Sequence, residues 1–154
     1  MTNINNNEFV SKFSEFMELT VHLNMRRTHL FAKGAGLSIP QLHCLFRMKK
    51  KEACHVKEVG SIFEISTPAA SQMLDKLVQM NLVKREESSK DRRIKNHSLT
   101  DNGTNLVNSF FSNVKMYNNK LANEFEEIEY AEVLYILEKI TTKMKERENN
   151  VKTI

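Results

Sequence analysis

Glycine and proline are scarce in this sequence: four of one and two of the other in 154 residues. That leaves little material for a β-rich fold with many tight turns. No apolar run approaches the roughly 20 residues a membrane span requires. The opening residues, MTNINNNEF, carry neither a basic segment nor an apolar one. No secretory signal is expected, so the protein is expected in the cytoplasm, off the membrane. Cysteine is scarce too. Cys44 and Cys54 do not make a metal-type CxxC pair, and both are expected as free thiols in a reducing compartment. GxSxG, HExxH and a Gly-rich phosphate loop do not occur, and the carboxylates are scattered. The expectation is no catalytic residue, no cofactor and no enzyme.

What the chain does have is charge, unevenly placed. Hydrophobic residues make up 40% and charged residues 27%, which suits a globular chain and not a disordered one. From Gln41 to Leu99 there are 12 Lys and Arg against 7 Asp and Glu, a net +5. The remainder has 11 against 12, a net −1. The basic excess therefore lies in the middle. It points to an anionic partner there and a different task for the two ends, or else to a solubilising surface.

Helical periods dominate the pattern. Glu8 to about Lys33 carries Phe9, Phe13, Phe16, Met17, Thr20, Leu23 and Leu30 near one stripe, and Gly34-Ala35-Gly36 ends it. Ser38 to Lys51 reads as a helix with Ser38 as cap, Pro40 in the first turn and lysines at its end. Leu42, Leu45, Phe46 and Met48 are its apolar face. His55 to about Phe63 is a short helix with Val56, Val59, Ile62 and Phe63 inward. After a turn, Thr67 to Met80 follows, capped by Ser66 or Thr67, with Pro68 in its first turn. Ala70, Met73, Leu74, Leu77 and Val78 face inward. Pro68, Ser71, Gln72, Asp75 and Gln79 face out. Asn81 fits a left-handed C-terminal cap. Thr100 caps a helix to about Glu124, and a last helix spans about Glu129 to Arg147, with a frayed tail after it.

Between these helices lies Leu82 to Leu99, LVKREESSKDRRIKNHSL, two short strands with a charged tip at Lys90-Asp91-Arg92-Arg93. A helix followed at once by a basic hairpin outlines a winged helix-turn-helix. Arginines at such a tip can follow the negative potential of a narrow minor groove. On its own, the hairpin equally fits a soluble edge.

LSIPQLHCLF, HVKEVGSIFEISTPAASQMLDKLVQMNLVKRE and DRRIKNHSLTDNG together resemble the MarR family of bacterial transcription regulators. The resemblance covers about Leu37 to Gly103. It implies a fold that is mainly α with a small β-wing: a winged helix-turn-helix flanked by long N- and C-terminal dimerisation helices. The single domain, 1–154, would divide into a DNA-binding lobe at about 37–100 and dimerisation helices at about 8–33 and 101–147. Such proteins are homodimers that bind pseudo-palindromic double-stranded DNA and usually repress transcription. The helix starting near Thr67 enters the major groove in them. The resemblance and the residue chemistry nominate Ser66, Thr67, Ala69, Ser71, Gln72 and Lys76 on or beside that helix. At the wing they nominate Lys90, Asp91, Arg92 and Arg93, with Asp91 orienting an arginine. Gln72 can pair bidentately with adenine, Ser71 or Thr67 can bond phosphate or a base edge, and Lys76 suits a phosphate.

Two positions depart from the family pattern. Many members have Arg where this chain has Gln72, and an apolar strand residue where it has His97. Some members bind zinc through histidines after the wing, but no His follows His97 here. His43 and Cys44 are adjacent and would point apart on a helix, so no metal site is expected. Cys44 lies near an apolar stripe and is expected in the core. Cys54 follows three lysines that would lower its pKa, which makes it the better thiol-switch candidate. The family often binds small aromatic or phenolic effectors in a crevice beside the DNA-binding lobe. Arg26, Arg27 and His29 can meet a carboxylate there, or form a solvated face. Two other functions fit the same pattern: a protein–protein adaptor that reads no DNA, and a redox-responsive regulator.

Overall fold

The computed structural model describes residues 5–51, 53–87 and 95–151. Among them the chain order is α1 (Asn6–Gly34), α2 (Ile39–Lys51), α3 (Val56–Phe63), α4 (Thr67–Gln79), β1 (Val83–Glu87), β2 (Lys95–Leu99), α5 (Asp101–Ala122), a 3-10 turn (Glu127–Glu129) and α6 (Tyr130–Val151). The fold is mainly α with a small β-wing, a winged helix-turn-helix with long helices on either side. It divides into two compact units, one ending at Phe110 and one beginning at Phe111.

In the first unit each helix stops for a local reason. At the end of α1, Gly36 takes φ 67. The Leu37 N–H then bonds to the Ala32 carbonyl at 2.8 Å, and the Gly36 N–H to Lys33 at 3.1 Å. This is a Schellman motif, in which a left-handed residue lets the chain satisfy the last carbonyls. Asn81 repeats it after α4, at φ 55. Leu82 N–H reaches the Leu77 carbonyl at 3.0 Å and Asn81 N–H reaches Val78 at 2.9 Å. Before α2, Ser38 and Gln41 cap each other: Ser38 N–H donates to Gln41 Oε1 at 2.8 Å, and Gln41 N–H donates to Ser38 Oγ at 3.4 Å.

The core joins Ala32, Leu42, Leu45, Met48, Val59, Ala70, Leu74, Leu77, Val83 and Val107, all nearly inaccessible to water. Phe31 and Phe110 meet edge to face, with centroids 5.1 Å apart. The hairpin pairs antiparallel, Val83 with Leu99, Arg85 with His97 and Glu87 with Lys95. Cys54 adds a one-residue third strand: its N–H donates to the His97 carbonyl at 2.9 Å, and His97 N–H donates to its carbonyl at 3.0 Å. Thr100 ties both ends of the wing together. Its N–H bonds to the Leu82 carbonyl at 3.1 Å and its hydroxyl donates to the Asn81 carbonyl at 2.8 Å. That hydroxyl also accepts the Gly103 N–H at 3.0 Å and so caps α5.

The second unit holds the rest of α5, the 3-10 turn and α6. A reciprocal box of Glu126 and Glu129 caps the turn. Leu134, Ile136 and Leu137 of α6 are all exposed.

Two expectations need correction. Ile62 points outward, 40% exposed, because the inward stripe of α3 runs through Val59, Gly60 and Phe63, and Ile62 falls beside it. Helix α6 continues to Val151, past the expected fraying point, since KERENN contains no helix breaker. Phe9, Phe16 and Leu30 on the α1 stripe are exposed, while Phe13, Met17, Thr20 and Leu23 are half-buried.

Candidate nucleic-acid interface

Helices α3 and α4 join through Glu64-Ile65-Ser66. Glu64 takes the left-handed conformation at φ 53, and the Ile65 N–H returns to the Gly60 carbonyl at 3.0 Å. The turn delivers Ser66 to the start of α4. Ser66, not Thr67, is the cap: its Oγ accepts the Ala69 N–H at 3.3 Å. Pro68 follows in the first turn, where its missing N–H costs nothing. Ala70, Leu74 and Leu77 anchor one face of α4 in the core. The opposite face is thereby fixed toward solvent.

That face lines an open groove of about 1010 Å³ that runs from the start of α2 along α4. Ala69, Ser71, Gln72 and Lys76 line it, together with Asp75 and Gln79. Ser66, Thr67, Gln72 and Lys76 are exposed, whereas Ala69 and Ser71 are half-buried. The structure therefore brings six of the nominated residues onto one helix, from its cap Ser66 to Lys76 in its last turn. Lys90, Asp91, Arg92 and Arg93 lie outside the described residues.

A second cleft, of about 590 Å³, opens between α3, the first turns of α4 and the root of the wing. Thr67 and Ser71 line it, and so do Lys57, Arg85 and Lys95, which sequence reasoning did not single out. The signal was present in the period of two. Val83, Arg85 and Glu87 share one face of β1, opposite Leu99, His97 and Lys95 on β2. Val83 and His97 of this face are buried against the core, so Arg85 and Lys95 are carried to the α4 side.

Ion pairs sort the cations. Arg85 meets Asp75 of α4 at 3.8 Å, and Ser71 donates to the same carboxylate at 3.5 Å. Lys95 pairs with Glu87 at 2.6 Å, and Lys84 with Glu86 at 3.0 Å. Glu58 accepts from Arg47 at 2.9 Å and Lys51 at 3.0 Å. The hydrogen bond from Arg47, then that from Lys51, holds the Glu58 carboxyl below the usual range.

The thiols reverse one expectation. Cys54 is buried, and burial pushes its pKa up, reinforced by Glu58. Arg47 and Lys51 oppose that shift without overcoming it. The lysine run therefore does not make Cys54 reactive. Cys44 is a core residue as expected, with its pKa pushed up to about 12 mainly by burial. Among the described residues no cluster of His, Cys, Asp and Glu is arranged to hold a metal, and no helix is long and apolar enough to cross a membrane.

The MarR family model matches residues 37–95, the stretch that holds α2 to the start of β2. Over 68 residues the chain is 38% identical to the HTH-type transcriptional repressor MdtR of Bacillus subtilis. That match spans 44% of each chain, less than half the length of this curated relative. Among solved structures, YusO of Bacillus subtilis superposes with a TM-score of 0.71 at 23% identity, covering 90% of this chain and 99% of that one. The S. aureus MepR–DNA complex gives 0.66 at 20% identity, covering 85% and 98%. At these identities the two superpositions speak for the fold.

Proposed function

We propose that the chain is a MarR-family, sequence-specific DNA-binding transcription regulator, a reading supported by the family model over residues 37–95 and by 38% identity over 68 residues to a repressor. It acts as a repressor, as a homodimer on a pseudo-palindromic operator. The observation that carries this reading is the recognition-type helix: α4 is capped, anchored by one face, and presents Ser71, Gln72 and Lys76 along an open groove. The two copies of α4 enter successive major grooves, roughly 34–36 Å apart. Thr67, Ser71 and Gln72 meet base edges or phosphates, Lys76 meets phosphate, and Arg92 or Arg93 reaches the adjacent minor groove with Asp91 as its orienting partner.

Dimerisation accounts for the apolar surface of the long helices. Val21, Met25 and Leu30 of α1, and Leu134, Tyr135 and Ile136 of α6, are each about half exposed or more. Side chains of this size on a single chain favour cover by a second copy. Release by a small aromatic or phenolic effector completes the reading. Such a ligand acts only by preferring a dimer whose lobes are wrongly spaced.

A gel shift on DNA upstream of the gene, repeated across a salt series, tests the proposal. Binding should weaken steeply with salt, each phosphate contact adding about 0.9 to the log–log slope. Binding that is absent, or indifferent to salt, counts against it and favours an adaptor. Arg92→Ala and Arg93→Ala should each be measured on the operator. At least one should cost about 1–3 kcal/mol. Equal affinity for both variants and wild type would remove the wing from the interface. Gln72→Ala should relax preference at particular base pairs more than it weakens binding overall, which selection from a random duplex pool reads directly.

A further inference from the structure

We propose that the cleft between α3, the first turns of α4 and the wing root seats one phosphate of the DNA backbone, gripped by Lys57, Arg85 and Lys95. This rests on the DNA-binding reading above and adds to it a fixed anchoring point. The cations come from three separate elements, α3, β1 and β2, and converge on a cleft also lined by the hydroxyl-bearing Thr67 and Ser71. One carboxylate, Glu58, lies among the lining residues. Arg47 at 2.9 Å and Lys51 at 3.0 Å already answer its charge, so the cleft stays positive.

The donor set suits phosphate. A guanidinium offers a planar fork, ammonium groups offer point charges, and hydroxyls can reach further oxygens of the same tetrahedral group. The first turn of α4 adds its partial positive charge. Location then chooses the source. Ser71 lines both this cleft and the groove along Gln72, so a duplex read from Gln72 carries its backbone past the cleft.

The cations are held differently before DNA arrives. Asp75 holds Arg85 at 3.8 Å and Glu87 holds Lys95 at 2.6 Å, so both are already oriented by stand-in carboxylates. Lys57 is exposed and makes no ion pair among the described residues. Phosphate would displace carboxylates from Arg85 and Lys95, but at Lys57 it would simply neutralise a free charge. Lys57 should therefore show the full salt signature.

The test uses the full chain, wild type and Lys57→Ala, with melting curves to confirm equal folding. Anisotropy of a labelled operator duplex is measured against salt. A second series replaces single flanking phosphates with neutral methylphosphonate linkages. Lys57→Ala should lower the salt slope by about 0.9 and lose the same factor on operator and unrelated DNA. One neutral linkage per half-site should weaken wild type several-fold and Lys57→Ala by a smaller factor, since Arg85 and Lys95 remain in the variant. If wild type binds and every linkage penalises both proteins equally, the cleft holds no phosphate. A changed base preference in Lys57→Ala overturns the proposal too. Wild-type protein that binds no duplex at any salt overturns the DNA reading itself, and this proposal with it.

Discussion

Gly103→Ala should lower the melting temperature by roughly 5–10 °C, from an overpacking cost of about 2–3 kcal/mol. The residue sits in the first turn of α5, where alanine would normally be the better helix former by about 0.5–1 kcal/mol. Packing reverses that preference. A Cβ on Gly103 would collide with the Leu82 carbonyl oxygen and lie 3.3 Å from a Leu99 methyl. The carbonyl cannot easily move aside, because it accepts the Thr100 N–H at 3.1 Å and begins the wing. Gly60→Ala offers a comparison, since its added Cβ would stand 3.1 Å from the Ile65 carbonyl and should cost less. Thermal melts of the two variants check the order. A Gly103→Ala protein that melts with wild type would mean that α5 and the wing root are not in this contact.

The second large effect is a pH dependence centred on His97. His97 is 1% exposed on β2, and its Nδ1 has no hydrogen-bond partner among the described residues. Burial lowers its pKa first, and Arg85, its cross-strand neighbour, lowers it further. His55 acts in the same direction, while the backbone of Cys54 and the Asp75 carboxylate oppose it. The folded protein therefore holds His97 neutral, whereas the unfolded chain takes up a proton near its ordinary pKa of about 6.5. Stability is complete above that value and falls as pH drops below it, because the unfolded state then binds more protons. His97→Leu should flatten this part of the profile. It should also remove the unsatisfied nitrogen, a penalty of about 1–3 kcal/mol, against whatever the change of shape costs. Melting curves at pH 5.5, 6.5 and 8 decide the point. Equal slopes for His97→Leu and wild type would place the titrating group elsewhere.

His97 also shows how far the sequence could be read. Its position in a strand was visible, and so was the departure from an apolar residue. Sequence left open whether it is partly buried or at an edge, because that depends on Cys54 closing over the strand from a loop far away in sequence. The same distance effect misled the reading of Cys54. Three neighbouring lysines suggested a lowered pKa, but Lys51 is drawn to Glu58 and the thiol is buried. Helix positions were legible because their stops are local: Gly36, Asn81 and the Ser66 and Thr100 caps act within a few residues. The apolar face of α4 followed from period alone. Ile62 did not, since a helix as short as α3 leaves the stripe poorly defined. Arg85 and Lys95 look like ordinary surface charges until strand register puts them on the α4 side of the hairpin.

Helix α4 keeps its anchoring and its exposed residues on separate faces, and this bears on how the protein can change over evolutionary time. Ala70, Leu74 and Leu77 answer to the core. Gln72, Lys76 and Gln79 answer to whatever lies in the groove. Substitutions in the second set should drift at little cost to folding, so new binding preferences are accessible by single steps. Ser71 and Asp75 are less free, since Asp75 also holds Arg85 of the wing. Divergent descendants should therefore vary first at Gln72, Lys76 and Gln79, and should change Asp75 and Arg85 together.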